Sequence, residues 1–166
     1  GYLQTFDFDE VIGSVDDTRA GMTESYSDKE AYEMLFDTAC SLEKADSPYF
    51  LGMYTYGTHV TLNSVNEVYG DGSNAILNKF FNLDVQLGDF IRRFKESELF
   101  DDTIIIFTTD HATYQDSDFP DTFPQTYRAS SMVDEIPLCI YYKGVTPRTY
   151  DVNGRNSLSL SPTILD

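Results

Sequence analysis

Tryptophan is missing altogether, histidine and cysteine occur only twice each, and basic residues are few. Each scarcity excludes something. Eleven Lys and Arg against 28 Asp and Glu leave a formal net charge of −17. A field of that sign repels phosphate backbones and anionic membranes and attracts cations, so nucleic acid is not an expected partner. Most of the charge reads as a solvated acidic surface. Cys40 and Cys139 have no CxxC neighbour, and one pair makes no disulfide framework. One falls on an apolar helical face and the other inside an apolar run, which places both in the core. No apolar run is long enough to span a membrane, and there is no signal peptide, basic tract or internal repeat. Three familiar devices are lacking as well. GDGSN (70–74) is too short and wrongly placed for a phosphate loop, and no Ser sits in a G-x-S-x-G elbow. DSDFPD (116–121) opens like a calcium loop but has neither its Gly nor its distal Glu.

What is present suffices for one domain. The 166 residues include 12 Tyr and 12 Phe, enough apolar material for a sizeable core. Residues 1–13 alternate as an extended segment would, and a polar loop follows to about residue 26. Ser27-Asp28-Lys29-Glu30 is a capping box that starts a helix, with Ala31, Leu35, Thr38 and Leu42 at helical spacing. Tyr49 to Tyr56 reads as a strand, and 57–73 as a loop holding His59. Asn74 to Glu98 is the strongest helix: Ile76, Phe80, Leu83, Leu87, Phe90 and Phe94 form one apolar stripe. Thr103 to Thr108 and Ile136 to Tyr142 are predicted strands, separated by a polar loop over 112–134. Residues 144–156 form another loop. Ser161-Pro162 looks like an N-cap with Pro at the first helical position.

DDTIIIFTTDHAT (101–113) is the most informative stretch. A β-branched run bounded by turn residues predicts a strand buried on both faces of a parallel sheet. Open α/β sheets place ligands at the carboxyl ends of such strands. The pattern from 49 to 108 is strand, long helix, strand, which predicts a right-handed βαβ unit with both strand ends on one edge. His59 follows the first strand and Asp110-His111 the second, so both histidines of the chain converge by topology. Asp and His together suit zinc, manganese or iron. Consecutive strand residues point to opposite faces, so the pair can share an ion only if the chain turns at Ala112-Thr113. Equally, Asp110 could cap a turn and leave His111 exposed. His59 could donate to an anionic oxygen or serve as acid–base.

At TTDHA the sequence resembles the sulfatase-like branch of the alkaline phosphatase superfamily, and most closely its lipoteichoic-acid-synthase-like phosphoglycerol transferases. PYFLGMYTYGTH resembles the family strand that ends in a substrate-binding histidine, and ELFDDTIIIFTTDH the stretch that carries the metal-binding Asp-His. IPLCIYYKG, SLSLSPTILD and GYLQTFDF resemble further family segments in the same order. Ser159 stands where the family often has Asp, and Ala112 where many sulfatases have Gly. The resemblance implies an α/β fold: a partial alkaline phosphatase-like three-layer sandwich, with a mainly parallel sheet and flanking helices. Residues 1–166 would be the C-terminal portion of that domain, truncated at both ends. It implies Asp110 and His111 as metal ligands and His59 as the contact to substrate phosphate or sulfate. The nucleophile and remaining ligands would lie upstream, leaving this chain alone inactive. The implied cofactor is a divalent metal ion, manganese first, with calcium or zinc as alternatives. The implied substrate is a phosphate or sulfate ester, lipid- or glycan-linked, at the extracytoplasmic face of the cell envelope. The competing reading is a non-catalytic acidic α/β binding module, which a missing nucleophile would also produce.

Overall fold

A computed structural model describes residues 5, 7–13, 26–45, 47–59, 66–112, 118–124, 135–152 and 154–165. The loops expected at 14–25, 60–65 and 125–134, and Thr113, lie outside them. Helix α1 spans Asp28–Glu43 and opens on the expected capping box. The Glu30 amide donates to the Ser27 hydroxyl at 3.3 Å, and the Ser27 amide donates to the Glu30 carboxylate at 2.9 Å. Helix α2 spans Ala75–Lys95; Asn74 caps it by accepting from the Leu77 amide at 2.9 Å. Arg92, Arg93 and Lys95 in its last turn complement the helix dipole. The two helices pack around an aromatic core. Tyr32 and Phe90 rings lie 5.4 Å apart, and Phe90 stacks on Phe94 at 6.3 Å. Phe94 meets Phe100 edge-on at 5.8 Å. Ile76 and Leu99 complete the buried set. No helix among the described residues is long and apolar enough to cross a membrane.

The stripe read on α2 is only partly its buried face. Ile76, Phe90 and Phe94 are buried, but Phe80 is 42% exposed. Asn78, Lys79, Asn82 and Gln86 are buried instead, so the covered arc swings from the apolar stripe onto a polar flank. The polar flank meets the backbone of His59, Glu67, Tyr69 and Gly72, whose polar groups need partners.

Strand β1 is Ile105–Thr108 and strand β2 is Leu138–Tyr141. They pair antiparallel, with Ile105 opposite Tyr141 and Thr108 opposite Leu138. This corrects the mainly parallel sheet expected from sequence: among the described residues the sheet has two antiparallel strands. A βαβ pattern states what flanks the helix and not which strands share a ladder. Among its described residues the link from β1 to β2, expected as pure loop, contains the five-residue helix α3, Asp118–Thr122. Nor are the strands buried on both faces: β1 is half-buried and most of β2 exposed. Cys139 is accordingly exposed and Cys40 half-buried, so neither is the core residue expected.

Residues 49–56 are extended but join no ladder. Their exposure still alternates with period two, odd positions inward and even positions outward. Tyr49 lies beside Thr103 and Tyr54 beside Asp110. Thr103 precedes β1 and Asp110 follows it, so the two ends of the extended segment lie near the two ends of that run. Near the end, a 3-10 turn at Ser157–Ser159 leads into helix α4, Leu160–Leu165. Asn156, not Ser161, caps the entry by accepting from the Leu158 amide at 3.0 Å. Pro162 sits inside the first turn, where its missing N–H costs nothing.

Candidate functional site

The chain leaves β1 at Thr108 and bends at Asp110 and His111. The turn required for a shared ion was expected at Ala112-Thr113; the bend comes earlier, at Asp110 and His111, and Thr113 lies outside the described residues. The bend cancels the strand alternation and brings His111 Nε2 within 3.2 Å of Asp110 Oδ2. Donors held tetrahedrally at 2.0–2.1 Å from one ion stand roughly 3.3 Å apart, so this spacing fits a shared divalent cation. His111 Nδ1 lies 2.7 Å from the Ala112 carbonyl oxygen. A carbonyl can only accept, so Nδ1 carries a proton, and Nε2 is the ring nitrogen that faces the Asp110 carboxylate. Asp110 Oδ2 also accepts the Tyr54 hydroxyl, a contact bringing the outward face of 49–56 to the end of β1. Both side chains stay accessible, at 34% for His111 and 46% for Asp110. Among the described residues no three His, Cys, Asp or Glu side chains gather as a metal group.

His59 sits in the turn after the extended segment, where its amide donates to the Tyr56 carbonyl at 2.9 Å. Its exposed ring lies 6.3 Å from that of Tyr56, which in turn is 5.7 Å from Tyr54. A ribbon of three rings thus connects His59 to the Tyr54–Asp110 hydrogen bond. His59 follows the extended segment and Asp110-His111 follow β1.

Sequence reasoning missed what lies beneath the ribbon. Asp28, 1% exposed, accepts from the Gly57 amide and from Asn82 Nδ2, each at 3.0 Å. Asn82 Oδ1 accepts from the Glu67 amide at 3.1 Å. Lys79, 4% exposed, donates to the His59 carbonyl at 3.0 Å. Asn78 accepts from the Tyr69 amide at 2.9 Å and donates to the Gly72 carbonyl at 2.8 Å. Burial raises the Asp28 carboxyl above its usual range, opposed by the hydrogen bonds from Gly57 and Asn82. The Tyr32 phenol is pushed up to about 12 by burial first and then by the Asp28 charge. The one available signal was spacing: Asn78, Asn82 and Gln86 recur at i, i+4 and i+8 on α2. Tyr54 was visible only as an alternate residue of a predicted strand.

No curated protein and no solved structure matches the chain. The sulfatase family model matches residues 1–166, the whole of the sequence in which the Asp-His pair, the histidine turn and the two helices stand in order. The chain belongs to the sulfatase family.

Proposed function

We propose that this chain supplies one edge of the active site of a metal-dependent enzyme acting on phosphate or sulfate esters. The finer reading is a transferase similar to the lipoteichoic-acid-synthase-like enzymes, working at the extracytoplasmic face of the cell envelope on a lipid- or glycan-linked ester. The observation that carries the reading is the 3.2 Å approach of Asp110 Oδ2 to His111 Nε2 where the chain leaves β1. Membership of the sulfatase family supports a hydrolase or transferase. Asp110 and His111 would hold the ion: manganese, with zinc or calcium as alternatives. When bound, such an ion supplies Lewis-acid neutralisation of charge on the ester oxygens and activates a nucleophile.

This chain's own residues do the rest. Tyr54 donates to Asp110 Oδ2 and fixes the plane of the carboxylate. The Ala112 carbonyl holds His111 in the tautomer that presents Nε2. His59 donates an N–H to a non-bridging oxygen of the ester, from the far end of the aromatic ribbon. A chain of net charge −17 repels an anionic ester, so local positive charge at this edge is needed for binding as well as for chemistry. The nucleophile and further ligands belong, on this reading, to a part of the domain preceding these residues, and 1–166 is its C-terminal portion.

The test is to assay phosphodiesterase and arylsulfatase activity with manganese, zinc and calcium. The 166-residue chain and the parent protein are compared, each with Asp110→Ala and His111→Ala. The expected result is a silent short chain and metal-dependent turnover in the parent that either substitution abolishes. Parent turnover surviving both substitutions would remove the site. Turnover by the short chain, abolished by them, would place a complete site within it.

A further inference from the structure

We infer that Asp28, Lys79 and Asn82 are positioning residues that fix His59 by gripping both ends of its turn. The inference rests on the reading of His59 as the group that contacts the ester anion.

The turn runs from Tyr56 to His59 and is closed by a single backbone bond of 2.9 Å. One such bond does not hold a surface turn to one geometry. Two polar groups from below do. At the leading end the Gly57 amide donates to Asp28 Oδ1 at 3.0 Å. At the trailing end the His59 carbonyl accepts from Lys79 Nζ at 3.0 Å. A carboxylate on α1 and an ammonium on α2 thus take the amide and the carbonyl of residues two apart. Asn82 locks the arrangement to α2, because its amide is committed on both sides: Nδ2 to Asp28 and Oδ1 to the Glu67 amide. It cannot flip without setting donor against donor.

The three side chains are 1%, 4% and 3% exposed. Groups of this kind are costly to bury unless their hydrogen bonds are made, and an apolar contact would tether a loop at lower cost. What they add is direction. Charge-assisted hydrogen bonds fix angle as well as distance, and a buried network has one good arrangement. Gly57 shows how close the fit is, since a Cβ there would lie 2.0 Å from Asp28 Oδ2. The His59 imidazole itself stays exposed beside the Tyr56 ring. Holding its backbone fixes where the exposed ring can meet an incoming anion.

Proton NMR of the imidazoles reads this directly, because the chain holds only two histidines and His111 serves as internal control. Lys79→Met keeps the aliphatic stem and removes the donor; Lys79→Arg restores one. In Lys79→Met, the His59 resonances are expected to lose the displacement caused by the Tyr56 ring. Titration with inorganic phosphate, followed at His59, is expected to weaken roughly tenfold, the worth of one charge-assisted hydrogen bond. His111 should not move, and Lys79→Arg should recover most of both effects. A folded Lys79→Met protein with unchanged His59 shifts and phosphate response overturns the inference. Should that variant not fold, the wild type decides: a Gly57 amide that exchanges with solvent as fast as an unprotected peptide overturns the clamp. A wild-type His59 indifferent to phosphate contradicts its proposed role in binding, while the ring-current readout still decides whether the turn is clamped.

Discussion

Replacing Gly57 by alanine puts one methyl group where the structure has no room. The added Cβ would meet Asp28 Oδ2 at 2.0 Å and Oδ1 and Cγ at 2.5 Å. Ordinary contact between such atoms begins more than an ångström further out, so the carboxylate or the turn must move. Neither moves freely. Asp28 is 1% exposed, and both its oxygens are used, by Gly57 and by Asn82. Displacing it breaks two charge-assisted bonds, each worth about 1.5–3 kcal/mol, part of which water entering the gap restores. The expected loss is therefore about 2–4 kcal/mol, a large fraction of the stability of a small domain. Urea unfolding checks it: the midpoint should fall with little change in slope. Gly88→Ala is the control. Gly88 lies exposed in α2 with nothing within 4 Å of an added Cβ, so alanine there should stabilise by about 0.5–1 kcal/mol. If Gly57→Ala costs less than about 0.5 kcal/mol, the packing of the turn on Asp28 is wrong.

Two further outcomes follow from the same residues. Asp28 has its pKa raised above 3.8, chiefly by burial, so its contribution to stability is fully present below 3.8 and is lost as pH rises through the raised value. The stability difference between wild type and Asp28→Asn should therefore shift against the wild type as pH climbs through that window and stay flat above it; a flat or opposite difference in unfolding midpoints counts against the buried carboxyl. Tyr54 is 55% exposed and its hydroxyl donates to Asp110, so Tyr54→Phe should leave the unfolding midpoint unchanged yet raise the manganese concentration that broadens the His111 resonance about tenfold; an unchanged midpoint for manganese would remove Tyr54 from the site.

Local signals carried well from sequence to structure. The Ser27–Glu30 capping box specifies its own hydrogen bonds within four residues, and it appears as read. The α2 stripe fixed a helix of nearly the expected length because propensity, capping and periodicity agree there. The Asp-His pair was legible as a pair, but whether it converges depended on a bend after Thr108 that no propensity dictates. The β-branched run at 103–108 was read as a strand buried on both faces of a parallel sheet. Composition cannot name a strand's partner, and IPLCIYY returned antiparallel beside it. The polar clamp was the least legible part. Asn78, Lys79 and Asn82 look like a solvated helix face until the backbone of His59, Glu67, Tyr69 and Gly72 is laid over them. Burial of a polar residue is decided by a partner distant in sequence, as Asp28 and Asn82, 54 positions apart, show.

The central claim is that Asp110 and His111 share a divalent ion at an edge that His59 also reaches. Manganese titration followed by proton NMR tests it most directly, since a paramagnetic ion broadens the resonances nearest to it. With 28 acidic residues, loose binding elsewhere on the surface is expected, so position is the informative readout. The account predicts that the imidazole signals of His111 and then His59 broaden at substoichiometric manganese, and that Asp110→Ala abolishes this while diffuse broadening over acidic surface persists. Sharp His111 and His59 signals in a wild-type protein already broadened at other acidic positions would contradict it.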